Sequence, residues 1–201
     1  ADANRFSKLP LGVAEGGALP GVPGRVTGDG GAYAGFGGSF AYSTTFIMAP
    51  GVYDIGALDY AGVAALSNTA PVGAFRGAGR PESAAMLERL VDLAADELGL
   101  DPVEIRRRNF IAPDAFPFRT LAGITYDNGD YDLPLREDMR IADYDGLPRE
   151  QTQRPDTRHV PRPGIGRSCH PETPATARGA LGLLAGPDAG TASSTTAPSP
   201  P

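Results

Sequence analysis

The chain has 201 residues, a formal net charge of −6, a single cysteine, and 27 glycines with 20 prolines. That length predicts one domain with tails, and the acidic balance excludes the bulk electrostatic footprint of a nucleic-acid binder. One cysteine cannot form an intrachain disulfide, and no apolar run approaches the roughly 18 residues of a membrane span. The first residues also lack the basic-then-apolar order of a secretory leader. Prolines gather before Arg25 and after Pro148, while the middle has globular patterning. Three regions are therefore expected: a poorly ordered segment over 1–24, a folded part over 25–149, and a Pro-rich disordered tail over 150–201.

Ala1 to Pro23 is small, glycine-rich and nearly aperiodic. From Arg25 to Phe36, repeated glycines predict a strand or turn whose backbone lies close to a neighbour. Ser39 to Met48 reads as a short helix, with Ser39 as its N-cap and Pro50-Gly51 ending it. Tyr53 to Asn68 reads as extended chain. Pro81 then stands at a first helical position, where its missing N–H has no intrahelical role. Ala84, Leu87, Leu90, Val91, Ala94 and Leu98 recur at helical spacing, and Gly99 stops the run. Asp101, Pro102 and Glu104 form a capping pattern for a second helix reaching about Phe110. Pro113 and Pro117 force irregular chain. Asn128-Gly129 is a turn signal, and a last short helix is expected over Leu135 to Tyr144.

The segment Gly73-Ala74-Phe75-Arg76-Gly77-Ala78-Gly79-Arg80 lies between the extended chain and the Pro81 helix. Glycines let backbone N–H groups approach a ligand closely, and a helix N-terminus carries partial positive charge. With Arg76 and Arg80 on either side, the local chemistry suits an anionic, oxygen-rich or phosphorylated group. It is not a nucleotide P-loop, because no Gly-Lys-Ser/Thr follows.

Three strings carry a family resemblance. They are Arg25-Val26-Thr27-Gly28-Asp29-Gly30-Gly31-Ala32-Tyr33, Met48-Ala49-Pro50-Gly51-Val52-Tyr53, and Asn68 through Glu82, the last continuing through Leu100-Asp101-Pro102 to Ile111. Ile141-Ala142-Asp143-Tyr144-Asp145-Gly146-Leu147 extends the likeness. Together they resemble the molybdenum-binding large subunit of the xanthine dehydrogenase/aldehyde oxidase family, in its carbon monoxide dehydrogenase-like branch. The resemblance runs from about Arg25 to Arg149. It implies an α+β fold: part of a molybdenum-cofactor-binding domain with a few strands, two or three helices and disordered ends. It also implies that the chain is a fragment of a longer subunit, with a tail from a shifted reading frame or a misassembled gene.

Family members hydroxylate a substrate carbon with water as the oxygen source. The resemblance therefore implies an oxidoreductase parent acting on an aldehyde or N-heterocycle. Its cofactor would be molybdenum-molybdopterin, in the cytosine dinucleotide form. An iron–sulfur small subunit and an FAD-binding medium subunit would be its partners, in the cytoplasm. It places Phe75, Arg76, Gly77 and Gly79 at the cofactor, with the Arg76 backbone at an oxygen ligand of the metal and Ala78 facing substrate. Carbon monoxide dehydrogenases carry a copper-binding cysteine where this chain has Gly77, and without sulfur that bond cannot form. The arginine that orients purines is missing too, since no Lys or Arg lies between Gly38 and Arg76. The family's general-base glutamate stands in a Gly-Glu motif that this chain lacks, so no catalytic residue is assigned and the chain alone is expected to be inactive. The alternative reading is a non-catalytic interaction module built on the helix pair.

Other clusters have plainer readings. Glu88, Asp92 and Asp96 share a helix face, which reads as solvated. Arg106 to Arg108 complement their helix end and pair with nearby acids. Asp127, Asp130 and Asp132 lack calcium-loop spacing and read as a turn. His159, Cys169 and His170 stand in the Pro-rich tail, where a metal site would not be preorganised. The apolar face of the Pro81–Leu98 helix needs a cover. If a part outside the chain supplies it, an apolar patch is exposed.

Overall fold

A computed structural model describes residues 4–6, 16–147, 166 and 168–171. The chain divides into two units, 1–170 and 171–201, and every described element lies in the first. In order these are β1 (Asn4–Phe6), β2 (Val22–Gly31), α1 (Phe36–Met48), β3 (Leu58–Leu66), α2 (Arg80–Leu98), α3 (Pro102–Asn109), a 3-10 turn (Pro113–Ala115), β4 (Phe118–Arg119), β5 (Thr125–Tyr126) and α4 (Asp132–Ile141). The described fold is a mixed α+β arrangement. His159 lies outside the described residues.

β2 is the centre of a three-stranded sheet in the order β1-β2-β3. β1 runs antiparallel to it, and β3 parallel, with Val26 beside Gly62 and a register shift between Asp29 and Gly31. A parallel partner requires a crossover, and α1 supplies it. The face of β2 under α1 is built for close approach. Gly28 leaves room for the Tyr42 hydroxyl, which any Cβ there would overlap. Phe46 of α1 meets the Tyr60 ring of β3 at 5.4 Å.

α1 starts at Phe36, three residues before the expected Ser39, and its N-cap is Gly35 without a side-chain cap bond. Tertiary packing overrides glycine's poor helix propensity there. A Cβ on Gly37 would stand 3.1 Å from the Val72 carbonyl oxygen, and one on Gly38 would stand 3.2 Å from that of Gly30.

α2 runs as the periodicity predicts, with Pro81 in its first turn and Gly99 closing it in the left-handed conformation. Its apolar face is covered from within the chain. Leu87, Val91, Ala94 and Ala95 pack with Leu19, Val22, Val52, Tyr53, Ile55 and Ile105. The cover is thus the loop after α1, the start of β2 and the next helix, elements that no helical periodicity announces.

Asp101 caps α3, accepting from Val103 N at 2.7 Å and Glu104 N at 3.2 Å. Glu104 does not close a capping box but bonds Arg108 at 2.8 Å. Asn109 ties the chain before β2 to α3. Its Oδ1 accepts from Leu19 N at 2.8 Å and its Nδ2 donates to Gly17 O at 2.8 Å. Leu19 itself is buried in the core, in a segment whose composition suggested little order.

A row of rings, Tyr53–Phe110 at 5.8 Å, Phe110–Tyr131 at 6.1 Å and Phe116–Tyr131 at 5.9 Å, joins the core to the β4–β5 hairpin and α4. That two-residue-strand hairpin carries no alternation long enough to read from sequence. α4 begins at Asp132, three residues before the expected Leu135, because the Asp130 side chain accepts from Leu133 N at 3.2 Å. Asp132 pairs with Arg107 at 2.7 Å and Arg136 at 3.0 Å, so this acidic stretch serves local ion pairs.

Candidate functional site

The chain between β3 and α2 leaves the sheet through a clamp on Asp29. Its carboxylate accepts from Ser67 Oγ at 2.5 Å, Thr69 Oγ1 at 3.0 Å and Gly31 N at 2.9 Å. Backbone bonds reinforce it: Ala32 N to Thr69 O at 3.1 Å and Ser67 N to Gly31 O at 3.1 Å. The Ser67 bond first, then those from Gly31 and Thr69, hold the Asp29 carboxyl below its usual range. Charge-assisted acceptance of this kind favours the ionised form.

Beyond the clamp the loop passes the N-terminus of α1, with Val72 and Gly73 against Gly37. It then coils through two tight turns, Ala78 N donating to Phe75 O at 2.8 Å and Arg80 N to Gly77 O at 3.1 Å. Three successive residues have positive φ: Gly77 at 95°, Ala78 at 34° and Gly79 at 90°. This is rare for a residue with a side chain, and such outliers persist only where surroundings enforce them. The enforcement comes from α1. Thr44 Oγ1 donates to Ala78 O, and Thr45 Oγ1 donates to Gly79 O at 3.0 Å. Gly79 is buried, and a Cβ on it would overlap Ala41 O and Thr44 Oγ1.

Two of the loop's carbonyls are thus held by α1. No described residue accepts from the N–H of Phe75, Arg76 or Gly77. Phe75 is 88% exposed and Arg76 is exposed beside it. The N-termini of α1 and α2 both flank this segment, so two helix dipoles present positive ends to one patch. Its donor set fits an anionic, oxygen-bearing group: unpaired amides, permissive backbone and no carboxylate in the loop itself. Thr44, Thr45 and Asp29, which set the loop's shape, were not singled out by the sequence. Their only local signal is two adjacent threonines within a helix.

A second polar centre lies between α2 and α3. Arg106 is fully buried. Its Nε donates to Glu88 Oε2 at 3.0 Å, its Nη1 donates to Pro102 O at 2.8 Å, and its Nη2 lies 2.9 Å from Asp92 Oδ1. The Asp92 contact is an ion pair without hydrogen-bond alignment. Tyr53 OH donates to Glu88 Oε1 at 2.6 Å, and Cys169 N donates to Oε2 at 2.9 Å. Burial opposes the charged guanidinium, but Glu88, Tyr53 and Asp92 outweigh it and raise the Arg106 pKa. Burial and then Glu88 push the Cys169 thiol up to about 11.

The solvated carboxylate face read from α2 is thus corrected for Glu88, which is buried; Asp96 is exposed as expected. Four-residue spacing finds a face, but it cannot tell that an arginine from the next helix fills it. Among the described residues no cluster of three metal-ligating side chains exists, and no helix is long and apolar enough to cross a membrane.

Comparison with known proteins identifies the family. The molybdopterin cofactor-binding domain family matches residues 2–110. The chain is 37% identical over 111 residues to the carbon monoxide dehydrogenase large chain of Hydrogenophaga pseudoflava, covering 54% of this chain and 14% of that one. It is 34% identical over 140 residues to the nicotine 6-hydroxylase large subunit of Paenarthrobacter nicotinovorans, covering 65% and 17%. Among solved structures, quinoline 2-oxidoreductase of Pseudomonas putida 86 superposes with a TM-score of 0.64 at 31% identity, over 68% of this chain and 18% of that one. The chain therefore spans under a fifth of the length of each. The family match over more than half of the chain places the protein plainly: it belongs to the molybdopterin cofactor-binding domain family of molybdenum-binding large subunits, alongside those of xanthine dehydrogenases and aldehyde oxidases.

Proposed function

We propose that this chain is a fragment of a molybdenum hydroxylase large subunit, and that its Ala74–Gly79 loop lies against the metal end of the cofactor. One observation carries this reading. Of three consecutive positive-φ residues, Ala78 and Gly79 have carbonyls tied to Thr44 and Thr45, and no described residue accepts from the amides of Phe75, Arg76 and Gly77. Preorganised donors of this kind stabilise developing negative charge on oxygen without reorganising.

In this reading the Arg76 and Gly77 amides donate to oxygen on the cofactor, Phe75 screens the approach, and Gly79 fixes the turn. Ala78 borders the substrate and leaves room beside it. The cofactor, when bound, supplies the two-electron acceptance that no side chain here can. The cytosine dinucleotide form of the pterin, iron–sulfur and FAD partner subunits, and a cytoplasmic setting belong to the same proposal.

The reaction is hydroxylation with water as the oxygen source. Two of the relatives are named for nicotine and quinoline, which supports an N-heterocycle over an aldehyde as substrate. Gly77 offers no thiolate for copper, which argues against carbon monoxide as substrate. The chain holds no Gly-Glu general base, so the isolated polypeptide is inactive. The α2–α3 pair is turned inward around Arg106, and nothing in it favours a docking module instead.

The test is elemental molybdenum and pterin analysis of the chain purified from a molybdenum-replete host, beside its Gly79→Ala variant. Co-purifying metal that the variant loses is the expected result. An absence of metal and pterin from the native chain, or equal loading of both proteins, overturns the site. Measurable hydroxylation by the loaded chain alone overturns the inactivity.

A further inference from the structure

Residues 168–170 lie against the folded unit in no helix or strand. Cys169 is half-buried and packs on the core cluster, while Ser168 and His170 on either side of it are exposed. The Cys169 amide donates to Glu88 Oε2 at 2.9 Å, across 81 positions of sequence. Among the described residues that is the segment's one hydrogen bond to the rest of the unit. The segment also walls a cavity of about 410 Å³, together with Val52, Val103, Leu135 and Met139. It falls beyond residues 2–110, which match the cofactor-binding family, so that match does not account for the contact.

We infer that 168–170 is a latch, which opens and closes over the Glu88–Arg106 centre while the core stays folded. The centre is built to tolerate the opening. Glu88 Oε2 also accepts from Arg106 Nε at 3.0 Å, and its Oε1 accepts from Tyr53 OH at 2.6 Å. With the latch lifted, both oxygens keep a protein donor and the counter-charge stays in place. Water entering beside the cavity then replaces the Cys169 amide. What is lost is one charge-assisted bond and the cover of a single half-buried thiol. That is far less than the core buries, and openings of this size occur below the free energy of global unfolding. α3 has no such freedom, because it carries Arg106 together with the buried Val103 and Ile105.

Closed, the latch completes the burial of the ion pair and of the thiol. Open, it exposes the cavity, the Glu88 carboxylate and Cys169 together. Glu88, Arg106 and Asp138 surround the docked thiol, and burial with Glu88 raises it to about 11. The latch involves neither the amide loop nor the cofactor.

Cys169 is the one cysteine of the chain, so thiol labelling of the full chain reads the latch directly. With iodoacetamide at pH 8, native labelling should be roughly 10- to 100-fold slower than in the unfolded chain, the factor set by one charge-assisted bond. It should not change with urea below the unfolding transition. A thiol released by opening titrates near the ordinary value of about 8.5, so the native rate should level off just above that pH. Three results overturn the latch: a rate that climbs from zero urea with the slope of global unfolding, one that keeps climbing toward the docked thiol's value of about 11, or one equal to that of the unfolded chain. Two full-chain variants then separate amide from side chain. Cys169→Ala keeps the N–H to Glu88, and Cys169→Pro removes it. Exchange of the Arg106 Nε–H with water, followed by NMR, should be at least about tenfold faster in the proline variant than in the alanine one, with unchanged far-ultraviolet circular dichroism in both. Equal exchange in the two, or a proline variant that no longer folds, also overturns the latch.

Discussion

Gly79 has a φ of 90°, is buried, and has no room for a Cβ against Ala41 and Thr44. Gly79→Ala is therefore expected to destabilise the chain by about 1–3 kcal/mol, read as a shift of the urea midpoint, in addition to its loss of molybdenum. Arg106 is a different case, a buried cation with two acidic partners and a carbonyl. Arg106→Met leaves Glu88 buried without its counter-charge and should cost about 3–5 kcal/mol. The double variant Arg106→Met/Glu88→Leu removes the stranded carboxylate and should recover part of that loss. Equal stability of the single variant and the native chain in urea titration would contradict the burial seen here. Cys169, its thiol pushed up to about 11 by burial and Glu88, should react with iodoacetamide at pH 8 far more slowly in the native chain than in urea. Reactive cysteines have lowered rather than raised pKa values.

At the scale of elements, the loop depends on two neighbours that sequence order separates from it. β2 holds its start through Asp29, and α1 holds its end through Thr44 and Thr45. The Asp29 clamp makes the first attachment pH-dependent. Its folded-state pKa is depressed, so its contribution is fully present above the ordinary aspartate value. It is lost as pH falls through the lowered folded value. Amide exchange at Gly31 should therefore stay slow from neutral pH down through the ordinary aspartate range, and accelerate only in stronger acid. Asp29→Ala should show fast exchange there already at neutral pH, with the rest of the chain unaffected. Thr45→Val should loosen the other end: it keeps the shape of the side chain but removes the donor to Gly79 O. The expected loss is about 0.5–1.5 kcal/mol by urea titration.

For the whole molecule, the described unit has a core closed by its own residues, and its exposed apolar side chains are scattered: Val63 and Leu66 on β3 and Phe75 in the loop, but also Tyr33, Leu121, Leu133 and Ile141. α2 was legible from end to end, because Pro81, Gly99 and a sustained 3.6-residue period act locally. The Asp101 cap of α3 was legible for the same reason. Arg25 to Gly31 was visible as a glycine-rich strand or turn and Tyr53 to Asn68 as extended chain, but the parallel pairing of β2 with β3 was not. The early start of α1 was hidden by glycines that propensity counts against helix and that packing rewards. The family was readable in the string of residues itself, and the segment from Gly73 to Arg80 stands out there because glycines and helix starts are short-range signals.

What the chain's order of residues could determine was local: where helices begin and stop, where the backbone can turn left-handed, and which kind of group such a turn can face. Only the tertiary structure decided which of the loop's carbonyls are held down and whether Glu88 meets water or Arg106. Both depend on partners far away in the chain, Thr44 for Ala78 and Arg106 for Glu88. Spacing along a single element carries no information about what the next element brings against it.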